Sequence, residues 1–312
     1  MSRKFTANFI LPVLLVFAMA SVGTAAPKKK KRHQVKRAIA VEDATPTPAP
    51  ISAPAAFPTP HPGAREENGA PKTRAVSVLV TNIRSGEILY EKNADAPRAA
   101  ASTQKLLTAL IVAESGYLDQ PVTVEATDTM AEPVRLNIKP GEVYPRIDLL
   151  RALLVKSPND VARCLARDNA GSIEAFAEKM NAKARALGAT HSHFVNPNGL
   201  PIPDQWSTAR DLSIIARAAY ANPTIRSIVC LPRLTFRYAN GRTRELENTN
   251  KVLKSLAYCN GMKTGYTEAA GHCLIASGTI PGREVIVVVL GDSKVGVWRD
   301  ASALLSWGLV SM

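Results

Sequence analysis

Cysteine is scarce in this chain: four in 312 residues, with no two of them close together. That count does not suit a small disulfide-stapled fold. Histidine is equally sparse, at five, and there is no His-Glu-x-x-His run, so a metallopeptidase has no support and no metal site is expected. His191 and His193 read as part of a solvated loop. Beyond the first 26 residues no apolar run approaches the ~20 residues that a membrane span needs, which excludes a multi-span membrane protein. A sustained heptad repeat is also missing, which excludes a coiled coil.

Acidic residues are the minority charge, 26 Asp+Glu against 39 Lys+Arg, for a net charge of +13. The excess is unevenly placed. Residues 1–72 hold 11 basic and 4 acidic residues (net +7), and residues 73–312 hold 28 and 22 (net +6). With 46% hydrophobic and 21% charged residues, the longer part can bury a core without disulfides.

Arg3 and Lys4 precede an apolar run from Phe9 to Ala20, and small residues follow as far as Ala26. This is the pattern of a secretory signal over residues 1–26, with an uncleaved N-terminal anchor as the alternative. The chain is expected to be exported, to a periplasm or to the outside of the cell and its wall. Lys28, Lys29, Lys30, Lys31 and Arg32 then form a basic block. Such a block alone reads as a nuclear address or nucleic-acid patch. Behind an export signal it reads as a solvated charge run, or as an adhesive for anionic envelope polymer or lipid, and no nucleic-acid partner is expected. Eight of the 22 prolines fall between Pro46 and Pro71, which makes residues 27–72 a basic, Pro/Ala-rich spacer.

Residues 73–312 read as one α/β (α+β) unit. Strands are expected at 75–81 and 87–91, joined by a tight turn at Arg84-Ser85-Gly86, and again at 261–267, 273–278 and 284–290. The last is almost continuously apolar and should be central. Helical spacing covers 103–114, 146–167, 172–187, 208–220 and 297–310. A mainly antiparallel sheet built from both chain ends, covered by helices, is the architecture this order favours.

Three short motifs carry chemistry. Ser102 and Lys105 share one helix face, so the lysine can take the serine proton if its own pKa is lowered. A helix cap with a surface lysine is the plain alternative. Ser157-Pro158-Asn159 puts two polar side chains around a rigid proline. Ser157 could relay a proton to a leaving amine and Asn159 could hold a substrate amide, or the trio could simply start a helix. Lys263-Thr264-Gly265 on a strand offers a cation and a hydroxyl to a carboxylate, with Gly265 leaving room for another backbone. An exposed strand end is its plain alternative.

Each motif occurs once, in this order, in an exported chain. The combination resembles the serine D,D-peptidases and penicillin-recognising enzymes, most closely the D-alanyl-D-alanine carboxypeptidase family of low-molecular-mass penicillin-binding proteins. Residues 180–184, 194–200, 248–251 and 261–271 strengthen the match, which runs from about Val76 to Leu309. The resemblance implies a β-lactamase/D,D-peptidase-like fold. It implies removal of the terminal D-alanine from peptidoglycan stem peptides through an acyl-enzyme, covalent binding of β-lactam antibiotics, and no cofactor. It implies Ser102 as nucleophile, Lys105 as proton acceptor and Ser157 and Asn159 on the opposite wall. Lys263, Thr264, Gly265 and Arg299 would bind substrate, with an oxyanion hole from the backbone N–H groups of Ser102 and Tyr266. Pro158 departs from the Gly or Ala common in the family.

Two alternatives remain. One is a D,D-endopeptidase that cuts peptidoglycan cross-links, to which residues 134–137 and 207–211 are similar. The other is a non-catalytic penicillin-binding sensor. A class A β-lactamase lacks its Glu-x-x-x-Asn segment here. Cys164 and Cys273 read as buried thiols. Cys230 with Cys259 is the one pair worth testing for a disulfide, and none of the four reads as a nucleophile.

Overall fold

The computed structural model describes Glu66 and residues 69–311. The export segment 1–26, the basic block at 28–32 and most of the spacer lie outside the described residues. Two strands open the fold, β1 (Ser77–Asn82) and β2 (Ile88–Lys92), and a 3-10 turn (Ala101–Gln104) runs into α1 (Lys105–Glu114). The short pair β3 (Pro121–Thr123) and β4 (Val143–Pro145) flanks α2 (Ala126–Thr129). Helices α3 (Arg146–Lys156), α4 (Asn159–Ala170), α5 (Ile173–Leu187), α6 (Ala209–Ala221) and α7 (Pro223–Val229) follow. After the hairpin β5 (Arg233–Arg237) and β6 (Thr243–Glu247) and the turn α8 (Val252–Ser255), the chain returns to the sheet. It does so as β7 (Cys259–Thr267), β8 (Gly271–Ile280) and β9 (Arg283–Asp292), and α9 (Gly296–Ser311) closes the fold.

The main sheet runs β2-β1-β9-β8-β7 with every neighbour antiparallel, so both chain ends build it and β9 lies at its centre, as its composition predicts. The apolar run of β9 is explained by two covered faces. Val285, Val287 and Val289 pack with Ala301, Leu304 and Leu305 of α9. Ile286, Val288 and Leu290 point the other way, into the core with Leu106, Leu107 and Ile215 of the helical side. Ala70 is fully buried with Trp307 and Leu309, so the packed chain begins ahead of residue 73.

One expected helix is two. The spacing over 146–167 predicts a continuous helix, but α3 stops at Lys156 and α4 starts at Asn159. Pro158 has no N–H to donate and pushes the residue before it out of the helical region. Ser157 ends α3 as a left-handed C-cap with a φ of 68°. The break turns the Ser157-Pro158-Asn159 corner toward the interface with the sheet.

Phe176 of α5 is among the largest fully buried side chains and belongs to the core beneath α1 and α4. Phe176→Ala should lower unfolding free energy by about 3–5 kcal/mol. Urea denaturation reads this directly; a loss below ~1 kcal/mol would contradict the packing described.

Candidate active site

Ser102 sits on the 3-10 turn, against which two glycines pack closely. Gly199 has φ +82°, and a Cβ there would overlap the carbonyl oxygen of Ala101. A Cβ on Gly265 would lie 2.9 Å from both Ala101 Cβ and Ser102 N. Ala101 itself has a φ of 47°, an unfavourable value for an L-residue, maintained by this close packing. Gly265 thus brings β7, and with it the backbone of Tyr266, beside Ser102, as the Lys263-Thr264-Gly265 motif predicts.

Lys105 lies one turn below Ser102 and has no exposed surface. Its Nζ is 2.7 Å from Ser102 Oγ, 2.7 Å from Asn159 Oδ1 and 2.6 Å from the backbone oxygen of Asn198. Burial drives its pKa well below the usual lysine range; the charge of Lys263 lowers it further and Asp160 opposes both. A neutral amine has two hydrogens and one lone pair. It can therefore donate to Asn159 and Asn198 and accept the Ser102 hydroxyl hydrogen, and all three short contacts are satisfied.

The supporting segments are themselves tied down. The Asn159 amide donates to the carbonyls of Glu132 and Pro133 at 3.0 and 3.1 Å, so both its hydrogens are used and it orients Lys105 rather than offering a donor to substrate. Asp160 accepts from the N–H groups of Leu136 and Asn137 at 3.0 and 2.7 Å, which folds residues 133–137 against α4. Gln104 donates to Asn196 O and Thr108 to Pro197 O, which pins the loop that presents Asn198. Asn198 and Asp160 carry no role in the sequence reading. Asn198 acts through its backbone, which no side-chain motif reports; Asp160 is signalled only by lying next to Asn159.

Other expected residues divide. Ser157 Oγ is buried at the cleft wall and has no hydrogen-bond partner among the described residues. Thr264 lines the cleft, its Oγ1 2.7 Å from Thr249 Oγ1. Lys263 lies beneath the cleft rather than in it: it is buried, donates to Thr264 O at 3.1 Å, and burial pushes its pKa down to about 7. Arg299 turns away, because buried Asp300 needs a cation; the guanidinium donates twice to Asp300 Oδ1, at 2.9 and 2.8 Å. Its neighbour Trp298 lines the cleft instead. The Cys230–Cys259 disulfide is not formed; all four cysteines are free, and Cys259 is buried with its thiol donating to Gly261 O. Burial pushes the Cys259 and Cys273 thiols up to about 11, which leaves them protonated.

These groups converge on a cleft of about 320 Å³ lined by Ser102, Ser157, Asn159, Thr264 and Tyr266, among others. A serine whose hydroxyl meets a buried amine, beside the N–H groups of a helix start, is suited to acyl transfer. The D-alanyl-D-alanine carboxypeptidase family model matches residues 64–294. The chain belongs to the D-alanyl-D-alanine carboxypeptidase family. It is 35% identical over 244 residues to a D-alanyl-D-alanine carboxypeptidase of Mycobacterium tuberculosis, covering 76% of this chain and 83% of that protein. It is 36% identical over 238 residues to a D-alanyl-D-alanine endopeptidase of Pseudomonas aeruginosa, covering 74% and 76%. Among solved structures, a D-alanyl-D-alanine carboxypeptidase from Mycobacterium tuberculosis superposes with a TM-score of 0.74 at 34% identity, covering 80% of this chain and 95% of that one. A Streptomyces DD-transpeptidase superposes at 0.73 and 29% identity, covering 77% and 99%. The family and the antiparallel sheet with its helical cover thus agree with the fold expected from the motifs.

Burying Lys263 has a consequence for stability. It holds a proton in the fold only below about 7, but in the unfolded chain up to ~10.4. Between those values the unfolded chain binds more protons, so stability rises with pH. Lys263→Met should be more stable than wild type near neutral pH and should remove part of that rise. Denaturant unfolding from about pH 7 to pH ~10 tests this; equal slopes for the two proteins would contradict it.

Proposed function

We propose that this member of the family is an exported serine D-alanyl-D-alanine carboxypeptidase. It removes the terminal D-alanine of peptidoglycan stem peptides and is acylated by β-lactams. The observation that carries the reading is the buried Lys105 amine against the Ser102 hydroxyl. Ser102 Oγ attacks the carbonyl carbon of the penultimate D-alanine while its proton passes to Lys105 Nζ. The oxygen that gains negative charge lies between the backbone N–H groups of Ser102 and Tyr266. On collapse, the proton reaches the leaving amine through the Ser157 hydroxyl, and water then releases the acyl group from Ser102. Lys263 acts on Lys105 through space by keeping its pKa low, and Asn159 keeps the amine in place.

A second reading, endopeptidase action on cross-links, has one observation of its own: the 36% identity to the Pseudomonas aeruginosa endopeptidase equals that to the carboxypeptidase within a percentage point. Product analysis on defined muropeptides separates the two. D-alanine released from a monomeric pentapeptide supports the first reading; cleavage of cross-linked dimers without D-alanine release supports the second.

Ser102→Ala should form no covalent adduct with labelled penicillin, and an adduct in that variant would refute the assignment. Acylation by the wild type should rise with pH as Lys105 loses its proton and should level off well below the usual lysine range. Lys105→Arg cannot lose its proton and should acylate ~10²–10⁴-fold more slowly. Stopped-flow acylation across pH checks both; near-normal rates in Lys105→Arg would reject the general-base role.

A further inference from the structure

The cleft is suited to an anion but lacks the expected cation. Among the described residues no Asp or Glu lines it. Lys263 is buried beneath it and occupied by Thr264 O, and Arg299 is committed to Asp300. The paired hydroxyls of Thr264 and Thr249 can give one hydrogen to a carboxylate but no charge. Lys156 also lines the cleft, next to Ser157 at the end of α3.

Two residues beyond Thr249 stands Lys251. Its Nζ lies 5.5 Å from the centre of the Trp298 ring, and Trp298 lines the cleft. Among the described residues no carboxylate forms an ion pair with Lys251. The backbone that carries it is rigid. Asn248 accepts from Asn250 N at 2.9 Å and donates to Val229 O and Leu231 O. Buried Asn250 donates to Gly261 O at 2.8 Å and accepts from Val252 N at 3.0 Å. Thr249 N donates to Val155 O. A lysine is ordinarily a flexible, strongly hydrated charge. Here the ring face of Trp298 restrains its charge beside a residue that lines the cleft, and its N–H donors have no hydrogen-bond acceptor among the described residues.

Resting on the carboxypeptidase reading, we propose that Lys251, held over Trp298, is the specificity-determining cation for the free C-terminal carboxylate of the substrate. It takes the role that the motif comparison assigns to Arg299. The carboxylate accepts from the Thr264–Thr249 hydroxyl pair on one side and from Lys251 on the other. The same contact serves the carboxylate of a β-lactam.

The test compares wild type, Lys251→Ala, Lys251→Arg and Lys254→Ala on diacetyl-L-Lys-D-Ala-D-Ala and on the same peptide ending in a carboxamide. Lys254 is a neighbouring lysine paired with Glu247 and serves as the charge control. Lys251→Ala should lose about 10- to 100-fold in kcat/KM on the carboxylate peptide and less than about threefold on the amide. Lys251→Arg should recover most of the loss, and Lys254→Ala should match wild type. Equal losses on both peptides, or no loss on either, would overturn the proposal. Acylation by benzylpenicillin and by its methyl ester gives the same comparison without any peptide product. If wild type releases no D-alanine, the carboxypeptidase reading fails; Lys251 is then still judged by whether Lys251→Ala loses acylation by the free acid selectively over the ester.

Discussion

A primary amine sealed from water holds this site together. An isolated buried ammonium is costly, and the cost falls if the group gives up its proton and each remaining polar valence finds a partner. Burial and the charge of Lys263 push Lys105 toward the neutral form, and its short contacts supply the partners. Its partners come from three places: Ser102 one turn away, Asn159 at the start of α4, and the Asn198 carbonyl on the loop before α6. Displacing any of them leaves the amine short of a partner where water cannot substitute. The requirement that stabilises the interior is the same one that makes Lys105 a base.

Backbone packing supplies the rest of the geometry. The 3-10 turn bearing Ser102 packs against Gly199 and Gly265, neither of which has space for a methyl group. That contact fixes the separation between the helical side and the edge strand β7. Since β7 is hydrogen-bonded along its length to β8, and β8 to the central β9, the cleft inherits the stiffness of the whole sheet. The α3–α4 break at Pro158 supplies the opposite wall, where Ser157 leaves an unpartnered hydroxyl.

Charge is distributed to the same end. Carboxylates near the site are turned to structural tasks: Asp160 binds backbone N–H groups of residues 136 and 137, and Asp300 binds Arg299 and the N–H of Arg74. Among the described residues no carboxylate lines the cleft, so the nearby lysines dominate its field. Of these, Lys263 acts from beneath, Lys156 lines the cleft, and Lys251 stands over Trp298.

Local patterns in the chain were enough to establish the five strands of the main sheet, most of the helices and the Ser102–Lys105 pair, but not the short hairpins β3–β4 and β5–β6. Period-2 and helical spacing are near-neighbour properties, and a serine three residues before a lysine on a helix must share its face. The central place of β9 was legible for a similar reason, because a strand covered on both faces has to be apolar throughout. Only the tertiary structure decided which polar groups meet. Asn198 contributes a carbonyl, which every residue has. Arg299 leaves the cleft to Trp298 because buried Asp300 captures the guanidinium. Lys263 looks like a surface cation in the strand pattern and is instead sealed below the cleft. Each of these depends on what a distant segment places alongside, and burial sets whether a charge binds substrate, tunes a neighbour or is lost.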